Sequence, residues 1–493
     1  MRRALRSIVL ISQLLLTACA GSAPTAAQVR VDGGIVGAQA WNGSMLFRGI
    51  PFAAPPLGPL RWRPPQPVMP WSGVRQSLEQ PASCPQNDYG WNHGDFTIGD
   101  EDCLTLDVRT PSLGGKLPVL VWIHGGSNRA GGPNDIVLSD VGKKVVIVGI
   151  RYRLGILGFL SHPGLTGEQG TSGNYGLMDQ LAALRWVQRN IAKFGGDPNN
   201  VTIAGESAGS EDVSLMLAAP AARRLFRKAI MESGTPGFGM PFRSLADAER
   251  IGRQADALLG ADGDVSKLRR ASLAALLIAD LKLHDDALES DDYVWLRITV
   301  DGRVLPKSPA DLLRDAPAKP VIVGSNRIEL EVPGGRNHRD AFVAKAFGAK
   351  AALATAYYRM DRPDAPDDPR FGSLDQQIGT DVNFRCPAAH FAQIMAAKGA
   401  PVWRYEFDAA ADGGKTSHAA EIPYAFGDAK LAGGLSLTPY WLNFIRSGEP
   451  NGSGVPQWPR FMSAARKELV FSDSGVGAQG PVHPQICAML DNL

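Results

Sequence analysis

Gly205-Glu206-Ser207-Ala208-Gly209 sets a serine among small residues, directly after the apolar run 201–204 and before a helical stretch. A serine hydroxyl is a poor nucleophile until a base removes its proton, and the base needs a carboxylate to fix its tautomer and stabilise the imidazolium. The strand-turn-helix context matters more than the pattern, because a chance glycine-rich turn would satisfy the pattern alone. A serine on so tight a turn needs small neighbours, and the turn lifts Oγ above the edge of a sheet.

With that turn on an α/β sheet, the chain order is serine, acid, histidine. Four histidines come late enough: His338, His390, His418 and His483. His390 lies in a helical run with Phe391 and Ile394, and His483 sits close to Cys487 near the end of the chain. His418 follows the loop 412–417 after the strand-like run 402–407, where a base is expected, and it is the best candidate. For the acid, Glu329 follows the strand 321–323 across the turn 324–327, and Glu331 stands two residues further out; sequence logic leaves both open. The developing oxyanion needs backbone N–H donors. The strand 117–123 runs into His124-Gly125-Gly126-Ser127, whose amides, with that of Ala208, are the candidates; without the serine motif this would read as a simple βα turn.

The elements that must position these residues are continuous apolar runs bounded by turn residues: 117–123, 145–150, 201–204, 229–231 and 321–323. Such runs read as strands buried on both faces. Between two of them Leu177, Leu181, Leu184, Val187, Ile191 and Phe194 recur at helical spacing, and Gly195-Gly196-Asp197-Pro198 ends that helix. The alternation predicts an α/β fold with a large, mostly parallel central sheet flanked by helices. A helix-rich segment, 245–286, interrupts the alternation as a candidate cap near the site.

The 493 residues are 44% hydrophobic and 20% charged, enough for a large core, and 51 basic against 49 acidic residues give a net charge of +2. That balance supplies no broad positive field for nucleic acid or an anionic membrane. Arg2, Arg3 and Arg6 precede an apolar run, 8–16, then small residues and Cys19. This reads as an export signal, too short to span a bilayer as a mature helix. Leu16-Thr17-Ala18-Cys19 resembles a bacterial lipobox, which would make Cys19 a lipidated N-terminus and the only link to a membrane; the alternative is secretory cleavage after Ala20. The expected organisation is a signal at 1–19, a tether at 20–28 and a single catalytic domain at 29–493, exported to the periplasm or outer membrane, or secreted. Removing Cys19 leaves Cys84, Cys103, Cys386 and Cys487, an even number that can pair in an oxidising compartment. There is no C-x-x-C and no H-E-x-x-H, so no metal is expected.

Several motifs together resemble the type B carboxylesterase and cholinesterase family over 29–487. They are Phe47-Arg48-Gly49-Ile50-Pro51-Phe52 with Pro55-Pro56 and Arg61-Trp62, Glu101-Asp102-Cys103-Leu104, Asn174-Tyr175-Gly176-Leu177-Met178-Asp179-Gln180, the Ser207 motif, Asp301-Gly302 with Leu305-Pro306, and Cys386-Pro387. The resemblance implies the α/β-hydrolase fold with helical cap insertions and a Ser207-His418-Glu329 triad cleaving carboxylic esters through an acyl-enzyme. It implies oxyanion donors at Gly126, Ser127 and Ala208, and polar support from Glu206 and Ser233 behind the triad. It also implies bridges Cys84 to Cys103 and Cys386 to Cys487, and no cofactor. Three positions depart from the family pattern: Ser127 replaces a third glycine, Asn128 replaces the usual aromatic, and Leu330 follows the acid where glycine is common.

Two other functions use the same resemblance. Some relatives keep the fold as binding or adhesion proteins, but those lack a triad member, and here all three are present. Amide hydrolysis or acyl transfer would use the same residues; esters, with the better leaving group, are the default expectation. The expected partner is a small-molecule ester. Oligomeric state has no signature in the sequence.

Overall fold

The structure, a computed structural model, describes residues 27–490 apart from 78–79, 289, 363–366 and 411–413. The export signal with Cys19, and all of the tether but its last two residues, lie outside the described residues.

The central sheet is built from β1 (Gln39–Trp41), β2 (Ser44–Pro51), β3 (Thr105–Thr110), β4 (Leu117–Ile123), β5 (Val146–Ile150), β6 (Gly196–Glu206), β7 (Lys228–Glu232), β8 (Val321–Asn326), β9 (Val402–Asp408), β10 (Glu468–Ser472) and β11 (Gly475–Gln479). Their order across the sheet is β1-β2-β3-β5-β4-β6-β7-β8-β9-β10-β11. Pairing is parallel from β5 through β10 and antiparallel at both edges.

The apolar runs alternate between two cores. Val119, Val121 and Ile123 face one side with Ala229, Met231, Val321 and Val323, while Leu120 and Trp122 face the other with Ile230 and Ile322. Helix α1 (Tyr175–Asn190) puts Leu177, Leu181, Leu184 and Val187 into the first core, joined there by α2 (Ala208–Ala218) and α3 (Cys386–Ala397). Helix α4 (Thr438–Ser447) covers the opposite face with Trp441, Phe444 and Ile445. Each fully buried aliphatic side chain of this kind contributes about 1.5–3 kcal/mol relative to exposure.

Two elements differ from the sequence reading. The stripe 177–194 is an α-helix only to Asn190; Ile191–Phe194 is a 3-10 turn ended by Gly195 at φ 80°. β6 begins five residues earlier than its apolar run, at Gly196, which is in register with Leu117; the register then shifts before Val201, so 197–200 bulge at the half-exposed sheet end, where no apolar side chain is required. In the cap segment, Leu245–Leu259, Val265–Arg270 and Leu273–Asp280 are helices, the first and third capped by Ser244 and Ser272, the second by Asp264.

The chain leaves β4, pairs β5 on one side, and returns to place β6 on the other. This makes a topological switch point, where open α/β sheets bind ligands beyond the carboxyl ends of their strands. Ile123 is in register with Gly205 there, so the turn after β4 faces the turn after β6.

Candidate active site

Ser207 joins β6 to α2 at φ 55° and ψ −126°, a conformation that costs a non-glycine residue roughly 1–3 kcal/mol and persists only where the surroundings enforce it. Its N–H donates to the Glu232 carbonyl at 2.9 Å. The flanking glycines are required by packing: a Cβ on Gly205 would meet the Gly209 backbone at 2.5 Å, and one on Gly209 the Ile123 carbonyl at 2.1 Å. Ala208 begins α2, so its N–H has no acceptor in a preceding helical turn.

The turn after β4 packs on this elbow. A Cβ on Gly125 would lie 2.5 Å from the Glu206 carbonyl and 3.0 Å from Cβ of Ser207. Gly126 (φ 101°), Ser127 (φ 56°) and Asn128 (φ 57°) follow, all left-handed. The Gly126 carbonyl accepts from the Arg129 and Ala130 amides at 3.0 Å, which turns the loop back on itself. Burial depresses His124 to about 4, so this ring next to the turn is neutral.

His418 Nδ1 lies 2.6 Å from Glu329 Oε2, and Glu329 is held in turn by the Asn326 amide, which donates to its Oε1 at 2.6 Å. The Glu329 N–H donates to Thr380 Oγ1 at 2.9 Å, and the Phe384 ring stands 5.2 Å from the imidazole. His418 Nε2 is 3.2 Å from Glu206 Oε1. Burial disfavours the imidazolium, but the charges of Glu206 and Glu329 outweigh it and hold His418 up at about 9. Burial likewise raises Glu206 to about 8, against the pull of His418.

The other sequence candidates lie elsewhere. Glu331 is exposed. His390 Nε2 contacts the Cys487 carbonyl at 3.0 Å, His483 Nδ1 pairs with Asp381 at 2.8 Å, and His338 closes a 3-10 turn, Gly335–His338. Of the loop 412–417, residues 412 and 413 lie outside the described residues. Ser233 sits behind the site, where its hydroxyl donates to Glu421 Oε1 at 3.2 Å.

Sequence reasoning missed Glu421. Its carboxylate accepts from Ser233, from Tyr405 at 3.2 Å and from Asn326 Nδ2 at 2.7 Å, and burial, then Glu329, raises its pKa. It stands three residues after His418, in a turn with Ala419 at φ 64°, a position with no local signal.

A cavity of about 580 Å³ opens above Ser207 and Ser127, walled chiefly by apolar side chains such as Phe238, Phe242, Tyr293, Leu296, Phe342 and Phe384. The cap helices do not line it; the chain that follows them does, through Ala287, Leu288, Tyr293 and Leu296. Cys84 is bonded to Cys103 and Cys386 to Cys487. Among the described residues no group of three or more His, Cys, Asp or Glu could hold a metal ion, and no helix is long and apolar enough to cross a membrane.

A mostly parallel sheet with helices on both faces, carrying a strained serine and a histidine paired with a buried carboxylate at its switch point, defines a hydrolase of the α/β-hydrolase fold. The chain belongs to the carboxylesterase family, which matches residues 24–479, and it is a carboxylesterase. Liver carboxylesterase of Sus scrofa is 37% identical over 479 residues, covering 84% of this chain and 83% of the relative. Fumonisin B1 esterase of Sphingopyxis macrogoltabida is 36% identical over 474 residues, covering 88% and 84%. Among solved structures, a PNB esterase superposes with a TM-score of 0.79 at 30% identity, and a thermophilic PNB esterase with 0.81 at 29%, each covering 94% of this chain and 99% of its own.

Proposed function

We propose that this carboxylesterase works through an acyl-enzyme on Ser207. The observation that carries the reading is the pairing of His418 Nδ1 with the buried Glu329 carboxylate beside the strained serine elbow. In the first half-reaction Nε2 exchanges its contact with Glu206 for one with Ser207, takes the Oγ proton, and Oγ adds to the ester carbonyl carbon. The carbonyl electron pair moves to oxygen, where the amides of Gly126, Ser127 and Ala208 stabilise the charge. Collapse expels the alcohol, which receives the proton from His418, and leaves the acyl group on Ser207. Water then repeats the sequence and releases the acid. Glu329 holds the tautomer and stabilises the imidazolium at each half-reaction.

The apolar wall and volume of the cavity support esters with a bulky uncharged group as substrates. Arg129 does not line it: Nε donates to the Tyr89 hydroxyl at 2.8 Å, and a terminal nitrogen pairs with Asp292 at 2.8 Å. The reading includes export, with Cys19 as lipidation site, on the strength of the charged, apolar and small-residue order of the first 20 residues.

The test is a p-nitrophenyl phosphonate. Stoichiometric loss of esterase activity with the phosphonyl mass on the Ser207 peptide is expected. Full inactivation with the adduct on another residue, or persistent activity with Ser207 fully labelled, would overturn the assignment.

A further inference from the structure

Two of the departures at the turn after β4, Ser127 and Asn128, put non-glycine residues at left-handed φ in succession, 56° and 57°. Left-handed backbone disfavours a residue with a Cβ, with asparagine among the most tolerant. Something must hold the turn, and the side chain of Asn128 is placed to do so. It is fully buried. Its Nδ2 reaches Asp212 Oδ1 at 3.5 Å, its Oδ1 accepts from the Tyr152 hydroxyl at 3.3 Å, and its backbone carbonyl accepts from the Gly155 amide at 2.7 Å.

The partners are equally fixed. The single Tyr152 proton is shared between Asn128 Oδ1 and the His124 carbonyl, the nearer acceptor at 2.7 Å, and the ring stacks on the His124 ring with centroids 4.5 Å apart, so one hydroxyl touches both ends of the turn. Asp212 stands in α2, the helix that starts at the nucleophile, and its other oxygen accepts from Gln180 Nε2 in α1. Burial raises Asp212 to about 7, while the amides of Gln180 and Asn128 favour its charged form. A buried carboxyl is retained at little cost only when its lone pairs are met, and here two amides meet them.

We propose that Asn128 and Asp212 are positioning residues that clasp the oxyanion turn to the nucleophile helix, so that the Gly126 and Ser127 amides keep their aim without a third glycine. The clasp fixes the distance between two donor sets that must act on one oxygen: the turn amides, and the amide of Ala208 four residues before Asp212 on the same helix. Neighbouring Glu211 grips the opposite side, its Oε1 accepting from the Gly237 amide at 2.9 Å in the loop that walls the cavity. The inference rests on the acyl-enzyme reading of Ser207.

The variants are Asn128→Gly, which removes the side chain but permits the left-handed turn, Asp212→Ala, their double, and Asp212→Asn. Each is assayed for kcat and KM, and for binding of an aryl trifluoromethyl ketone, which adds to the serine as an anionic tetrahedral adduct, and of the corresponding alcohol, which cannot. Loosening the donors is expected to lower kcat and ketone affinity together by about tenfold, less than the loss of a whole donor, with KM and alcohol binding within about twofold. The double variant falls no further than the worse single one, since both remove one contact. Asp212→Asn regains most of the loss, because a flipped Asn128 amide can still pair with it. A rise in KM at constant kcat, additive losses in the double variant, or equal weakening of ketone and alcohol would overturn the clasp. If Asp212→Ala does not fold, Asn128→Gly decides through the kcat–KM split and the ketone–alcohol comparison, and the same split is read for Asp212→Asn. A parent enzyme that takes no ketone adduct overturns the acyl-enzyme reading and the clasp together; a normal parent with unaffected variants overturns the clasp alone.

Discussion

His418 Nδ1 lies 2.6 Å from Glu329 Oε2, while Glu331, two residues on, is exposed. Glu329→Gln is therefore expected to be severe and Glu331→Gln mild, because only the first weakens the bond that stabilises the imidazolium. Ser207→Ala and His418→Ala should each lower kcat by roughly 10⁴ to 10⁶, Ser207→Ala with the unfolding midpoint preserved. Steady-state kinetics on one p-nitrophenyl ester compares all four. A crippling Glu331→Gln beside a mild Glu329→Gln would reverse the assignment.

The carboxylates around His418 set the pH dependence. A base accepts a proton only when neutral, so with His418 held at about 9 the value of kcat/KM should climb through the alkaline range. Glu206→Gln removes one of the charges that raise it, and the rising limb should move to lower pH; a limb that stays in place would show that Glu206 does not act on the base.

Stability follows the same groups. His418 is raised from an ordinary 6.5 to about 9, so its contribution is full below 6.5 and is lost as pH rises through 9. Glu206 is raised from 4.5 to about 8, so it weakens folding progressively across that interval, where the unfolded chain ionises first. Both slopes have one sign. Thermal midpoints of the Ser207→Ala protein should decline from pH 5 to pH 9, and a flat or rising profile would contradict the shifts.

Reduction should lower the thermal midpoint, since bridges across 19 and 101 residues each contribute about 2–4 kcal/mol. Cys19→Ala addresses location. If Cys19 carries lipid, the variant should release activity from the membrane fraction or stall maturation with the catalytic body intact. Membrane association that survives the change would end the lipoprotein reading.

The strands that position the site were legible because both their faces are buried, so 117–123 and 145–150 read as unbroken apolar runs. The stretch 196–200 was not, since an irregular, half-exposed sheet end with a register shift leaves no mark on side-chain polarity. His418 and Ser207 stand out by their loop and elbow contexts. Glu421 does not: its importance arises from Ser233, Asn326 and Tyr405 converging from three other segments, and no local pattern encodes that meeting. The Asn128–Asp212 contact is invisible for the same reason, being 84 residues apart in the chain.

The turn at Gly125-Gly126-Ser127, proposed to supply the oxyanion donors, separates two effects of a side chain. Gly126 has φ 101°, and a Cβ there would stand 2.2 Å from the Ala130 carbonyl oxygen and 2.9 Å from the Trp91 ring. Trp91 can move, but the carbonyl belongs to the turn itself, so Gly126→Val must distort the donors and should cost on the order of 10² or more in kcat. Ser127 already carries a Cβ and lines the cavity beside Ser207. Ser127→Gly keeps the amide and relieves a left-handed non-glycine residue, so activity should remain substantial while the added room shifts acyl preference toward bulkier acids. Arg129→Ala should leave selectivity between neutral and acidic esters unchanged, because its guanidinium stacks on Tyr89 at 4.4 Å and pairs with Asp292 outside the cavity. Kinetics of the three variants on graded p-nitrophenyl esters, with one acidic acyl group, decide each point. Equal tolerance of Gly126→Val and Ser127→Gly would place the oxyanion donors elsewhere, and a selectivity change in Arg129→Ala would place the arginine at the substrate.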